Sequence, residues 1–269
     1  MNYRFFDYKH NIIGFQSDLF SVPHLVYIGL VFIVSLLAAR LFQNAGRQGI
    51  GKWLKIQAAV TPVLELVKIG WESYYDITTG RGFNAEGLLP LYTCSLLIYM
   101  LPFAAWGKGR VRECALAFLT TIGMLFGAIG VIYCNGLNFY PFWTFGAFYS
   151  LYFHTSMFLT GVILLASGYM RPEWKNVRLS FIPIVLLALI AVPADYLTGA
   201  DYMLLYSGSG VPLYEDLAAW LAEKGLRPVY TLIMLLTHLP LSALVVAICR
   251  AAGRLPVFAG KQENTAGRQ

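Results

Sequence analysis

Cys94, His154, His238 and Lys68 all lie within long apolar stretches of this 269-residue chain. A thiol becomes a nucleophile when a base takes its proton or a cation steadies the thiolate. The two imidazoles and the ammonium are the groups at similar depth that can do so for Cys94. The chemistry open to such a set is nucleophilic attack by the thiol on an acyl group. An acyl ester on a membrane lipid reaches a thiol inside a bilayer from the side, a route that a soluble substrate lacks.

A second set shares one helix face. Gln57, Thr61, Glu65, Lys68 and Glu72 recur at helical spacing. A charge near the bilayer centre costs about 2.5–3.5 kcal/mol on the mildest scale. Three ionisable residues within two turns therefore call for a partner, a wet cavity or a reaction. Ser150 stands one turn before His154, Asp195 near the end of its span, and His238 two residues before Pro240.

Each residue also has a structural alternative. Glu65 and Lys68 form an i,i+3 pair, and Lys68 can snorkel toward water. His154 can bridge two helices. Asp195 can cap a helix or sit in headgroup water, and His238 can satisfy the carbonyl freed by Pro240. Cys94 alone packs as a small apolar residue or pairs with Cys134 in a disulfide. Cys114 and Cys249 read as packing residues. The four cysteines are too widely separated for paired metal ligands, so no metal or other cofactor is expected.

The elements that must position these side chains are membrane spans. The chain is 58% hydrophobic and 13% charged, with mean hydropathy +0.60. Soluble domains carry about 25% charged residues. Apolar runs of about 20 residues fall at 21–42, 53–75, 88–106, 113–134, 143–169, 179–198 and 228–250. These form one all-α transmembrane domain, residues 1–269, a polytopic bundle of about seven helices. Pro183 and Pro193 interrupt the sixth run, and Gly123 and Gly127 form a GxxxG in the fourth. The first twenty residues contain no apolar core of a cleavable signal peptide.

Lys and Arg alternate between loops. One set holds Arg40, Arg47, Lys52 and Lys55; Lys108, Arg110 and Arg112; Arg171, Lys175 and Arg178; and Arg250, Arg254, Lys261 and Arg268. The other holds only Arg4, Lys9, Arg81, Lys224 and Arg227. The positive-inside rule then puts the N-terminus outside and the C-terminus in the cytoplasm of a cell-membrane protein. Glu65, Glu72, Cys94, His154, Asp195 and His238 then occupy the outer half of the membrane. The long connector 199–227 holds an amphipathic stretch, 212–226, suited to lie on the outer surface. The net charge of +6 resides in short loops and does not imply nucleic acid.

The segments LPLYTCSL (89–96), FWTFGAFYSLYFH (142–154), DYLTGADYMLLY (195–206) and Pro228-Val229-Tyr230 occur in this order. In that order they resemble the YwaF-type bacterial membrane proteins, whose animal relatives are transmembrane acyltransferases of ether phospholipids. The resemblance implies an acyl-enzyme mechanism with Cys94 as nucleophile, His154 as general base, and Tyr92, Asp201 and Tyr202 in supporting positions. Two positions depart from the family pattern: Tyr92 stands where the family has His, and Asp201 where it has Asn.

The expected function is CoA-independent acyl transfer between membrane lipids, with lipids as the partners. The rival is a transporter or small-molecule sensor that binds a solute or proton at the Glu65, Lys68 and histidine cluster. A transporter would be expected to show an internal repeat, and the motifs do not recur. Headgroup, acyl chain and oligomeric state are not legible.

Overall fold

A computed structural model describes residues 3–80, 82 and 84–252. Arg81, Arg254, Lys261 and Arg268, counted above, lie outside them. The described residues contain helices and no strand. The helices are α1 (Val22–Phe42), α2 (Gly46–Thr78), α3 (Ala85–Leu88), α4 (Leu96–Trp106), α5 (Gly109–Leu119), α6 (Ile122–Ile132), α7 (Phe145–Ala166), α8 (Lys175–Thr198), α9 (Pro212–Glu223) and α10 (Arg227–Ala252). Five stretches are long and apolar enough to cross a bilayer: α1, the α5–α6 rod, α7, α8 and α10. The protein is a polytopic helical membrane bundle.

Local chemistry explains the boundaries. Ser21 and Pro23 open α1, where proline's missing N–H costs nothing. Gly199 ends α8 in the left-handed region, φ 73°. Pro183 and Pro193 are absorbed within an unbroken α8. The amphipathic stretch after Val211 forms α9.

The second and third expected spans, in α2 and α4, are not among those five, and the third and fourth also differ in form. The fourth, expected as one helix over 113–134, is two helices meeting at Thr120–Thr121. The Thr120 hydroxyl donates to Leu116 O at 2.8 Å and that of Thr121 to Ala117 O at 2.7 Å. Thr121 leaves helical geometry, φ −126° and ψ −100°. Threonine hydroxyls offer the backbone an alternative to the helical ladder. The third, expected over 88–106, is helical only from Leu96. Pro90 biases Leu89 away from helix, and residues 91–95 form turns closed by Ser95 N–H donating to Tyr92 O at 2.9 Å. Cys94 therefore sits in the turn that enters α4, where a helix over 88–106 would have placed it inside the span.

The main core joins α2, α4, α5, α7, α8 and α10 through residues such as Leu54, Leu101, Phe118, Met157, Ile184 and Tyr230. Bulky apolar side chains of α1, α8 and α10, among them Leu36, Leu189 and Leu232, are exposed, as a lipid-facing surface requires.

The segment before α1 caps one end of the bundle. Trp71 Nε1 donates to Phe6 O at 3.0 Å, Phe145 N to Phe5 O at 2.6 Å, and Phe142 N to Asp18 Oδ2 at 2.7 Å. Tyr8 is 1% exposed and packs between Trp71, Tyr75 and Tyr140. The cap covers the end of α2 that carries Glu72 and the end of α7 that carries Phe145.

Candidate functional site

A cavity of about 150 Å³ lies between α2, the 87–95 turn and α7. Glu65 and Lys68 line it from α2, Tyr92, Cys94 and Ser95 from the turn, and Tyr149, Ser150 and His154 from α7. The 87–95 turn places Cys94 at the cavity wall, because a helix through these residues would carry it along the α4 axis.

The α2 carboxylates and lysine form a chain. Lys68 Nζ lies 3.6 Å from Glu65 Oε1 and 3.3 Å from Glu72 Oε2. It also donates to Gly87 O and stands 5.8 Å from the centre of the Tyr149 ring. The Tyr149 hydroxyl donates to Glu65 Oε2. Glu65 and Glu72 are both buried, so the ammonium and the phenol are what make their burial tolerable.

His154 is oriented by its own helix. Its Nδ1 lies 2.8 Å from Ser150 O. A carbonyl only accepts, so Nδ1 carries the proton and Nε2 presents a lone pair. The ring rests against the α6 backbone at Gly130. A Cβ at Gly130 would stand 1.9 Å from His154 Cδ2 and 2.5 Å from Nε2. One turn earlier, a Cβ at Gly127 would stand 2.5 Å from Phe158 N. Gly127 thus sets the close approach of α6 to α7, and Gly130 makes the seat for the imidazole.

This predicts a large local effect from one methyl group. Gly130→Ala is expected to lower stability by about 1–3 kcal/mol through overpacking. A ring displaced by about 1 Å would also slow a His154-dependent reaction about 10²-fold. Gly29→Ala, whose Cβ meets nothing within 4 Å, is the control and should do neither. Thermal unfolding of the two variants, and the rate of any reaction that needs His154, check this.

The remaining candidates lie elsewhere. Asp195 Oδ1 accepts from Tyr202 N at 2.7 Å. Asp201 gathers the following turn, accepting from Tyr206 N at 2.8 Å, Ser207 Oγ at 2.9 Å and Ser209 N at 2.7 Å. Both organise the connector after α8. The buried Tyr202 ring packs edge-on against Tyr92, 5.2 Å between centres, so it backs the cavity wall without lining it. His238 does not line the cavity. Its Nδ1 lies 3.2 Å from Met234 O and 3.1 Å from Leu235 O. Those are not the carbonyl four residues before Pro240, which belongs to Leu236; the side chain reaches back only to its own preceding turn. All four cysteines are free, and Cys134 Sγ donates to Ser150 Oγ at 3.3 Å.

Tyr149 and Gly130 escaped the sequence reading. Tyr149 lies inside the quoted 142–154 segment but looks like one aromatic among several. Gly130 stands three residues after Gly127, off the GxxxG spacing.

The model of the TMEM164 family matches residues 19–248. The chain belongs to the TMEM164 family. The match runs from just before α1 to the last turns of α10, so it takes in every residue of the cavity. No curated protein and no solved structure matches the chain. In this TMEM164-family chain the arrangement offers a thiol, an imidazole with a free lone pair, and a phenol and lysine tied to carboxylates.

Proposed function

We propose that the protein transfers acyl chains between membrane lipids without CoA, through a thioester on Cys94. The observation that carries this reading is that Cys94 and His154, remote in sequence, line one cavity. The resemblance of the segments around them to the YwaF-type proteins and their acyltransferase relatives supports it. The cavity's size supports it too. Ligand pockets for drug-sized molecules run from about 300 to 1,000 Å³, so about 150 Å³ takes an ester group and leaves chain and headgroup in the bilayer.

The steps balance without a further reactant. His154 Nε2 takes the Cys94 proton as sulfur attacks the ester carbonyl of a donor phospholipid. The tetrahedral oxyanion collapses, the ester C–O bond breaks, and the leaving glycerol oxygen takes the proton from His154. A thioester on Cys94 and a lysophospholipid result. An acceptor lysophospholipid then gives its hydroxyl proton to His154 and attacks the thioester. Sulfur leaves and recovers its proton. Cys94 precedes the first residue of α4 by two positions, where the positive end of the helix dipole favours developing negative charge. With the N-terminus outside, the site belongs to the outer leaflet, away from cytoplasmic CoA thioesters.

A second reading has its own observation. Lys68 is shared by Glu65 and Glu72, a set that also suits a solute- or proton-binding protein. Lipidomics of a deletion strain separates the two. Complementation with the wild-type gene is expected to restore a set of remodelled phospholipids, and Cys94→Ser to leave them at the deletion level. Equal rescue by Cys94→Ser would favour the binding protein.

A further inference from the structure

We propose that the trough between α1, α2 and α7 is a binding site for one acyl chain of a bilayer phospholipid, distinct from the Cys94 cavity. The trough has a volume of about 760 Å³. It lies across α7 from the cavity. Tyr149, Ser150, Phe153 and His154 line the cavity, whereas Phe148, Leu151, Tyr152, Thr155 and Leu159 line the trough. At about 100° per residue these are opposite faces of one helix. The proposal therefore does not depend on acyl transfer.

The trough is a built feature. The Tyr27 hydroxyl and Thr155 Oγ1, 2.7 Å apart, tie α1 to α7. The Tyr152 hydroxyl donates to Gln57 Oε1 at 3.4 Å and ties α7 to α2. Each pair consumes polar groups that would otherwise face the space. What remains is mostly hydrocarbon, with the Ser156 hydroxyl and the Trp53 indole N–H, which has no partner among the described residues, as polar exceptions, and a cavity so lined favours apolar ligands.

Its open side is continuous with the lipid-facing surface of the bundle. Val22, Val26 and Leu30 of α1 form that rim and are exposed. The twelve residues from Phe148 to Leu159 run about 16 Å along α7. Half of a hydrocarbon core about 30 Å thick is about 15 Å. The mouth carries Phe142 and Trp143, aromatic residues of the kind that sit at headgroup level. Spread over that length, the volume gives a section of about 50 Å². A helix with its side chains is about 10–12 Å across and needs more. A hydrocarbon chain, headgroup at Trp143, fits.

The test uses a phosphatidylcholine with a diazirine midway along one acyl chain, mixed with unlabelled phosphatidylcholine in nanodiscs holding the full chain. After irradiation, adducts are mapped by peptide mass. Leu151 lines the trough and has only 4% of its surface open, so a chain lying on the outer surface of the bundle does not touch it, whereas one seated in the trough does. Adducts are expected on Leu151 and Leu159, about tenfold above those on the lipid-facing Leu186 and Leu189 of α8, the ratio of a site favoured by about 1.4 kcal/mol. Ser156→Phe fills the trough from its floor, and Leu30→Trp fills it from the exposed rim without needing core space. Either is expected to remove the Leu151 adduct and leave the α8 adducts unchanged. Labelling no greater than on α8 would mean annular lipid only and overturn the proposal. So would persistence of the Leu151 adduct in Leu30→Trp, or cross-linking of the trough to a second copy of this chain.

Discussion

Cys94→Ala is expected to abolish acyl transfer between phospholipids by the purified protein, a loss of more than about 10⁴-fold, because the covalent route disappears with the nucleophile. His154→Gln is expected to lose about 10²–10⁴-fold, the worth of a positioned general base. The double variant should be no worse than Cys94→Ala alone, since residues that act as a unit are not additive. Transfer is measured as the appearance of a labelled chain on an added lysophospholipid in proteoliposomes. Retention of activity in Cys94→Ala would remove the acyl-enzyme from the account. Both variants should keep the wild-type melting midpoint within a few degrees, because Cys94 donates to no side chain among the described residues and Gln keeps most of the imidazole's volume.

Glu65→Ala carries the largest expected effect on stability. It takes the acceptor from the Tyr149 hydroxyl and one of two carboxylates from Lys68. Breaking a buried ion pair by removing one partner costs about 3–5 kcal/mol. Gln57→Ala removes only a 3.4 Å acceptor of Tyr152 and should cost about 1 kcal/mol. Adding Lys68→Met to Glu65→Ala should deepen the loss, because Glu72, still buried, then loses its ammonium partner. Thermal unfolding of the four proteins in one detergent decides this. Equal tolerance of Glu65→Ala and Gln57→Ala would mean that the α2 stripe bears no buried charge network.

The all-helical membrane bundle was legible because it rests on long-range composition and on period. Apolar runs near 20 residues, and a polar stripe repeating every three or four residues on α2, survive any detail of packing. The start of α4 was not legible at the same level. A proline at 90 and small polar residues at 93 and 95 compete with helix only over single turns, and an apolar run hides that competition. The break at Thr120–Thr121 is of the same kind: two hydroxyls back-bonding to Leu116 and Ala117 divide a run whose hydropathy is continuous.

The cavity was partly legible. Depth along the spans puts Cys94, His154, Glu65 and Lys68 at one level, and the structure brings these four around one cavity. Depth alone also selects His238, which the rotation of α10 turns toward Phe126, ring centres 5.8 Å apart. Rotation about a helix axis depends on packing partners that a single sequence does not name. Gly130 was hidden for a related reason. What matters there is the absence of a side chain where another helix brings its imidazole, and an absence leaves no periodic signal.

The acyl-cysteine itself is the most direct test of the proposed chemistry. The protein is incubated with a phospholipid carrying an alkyne-tagged chain, quenched in acid, and read by intact mass and peptide mapping. A mass increase of one acyl chain is expected on the peptide bearing Cys94, removed by neutral hydroxylamine and absent from Cys94→Ser. A chain that transfers to acceptor lipid while Cys94 stays unmodified under every quench, or an adduct mapping to another residue, would contradict it.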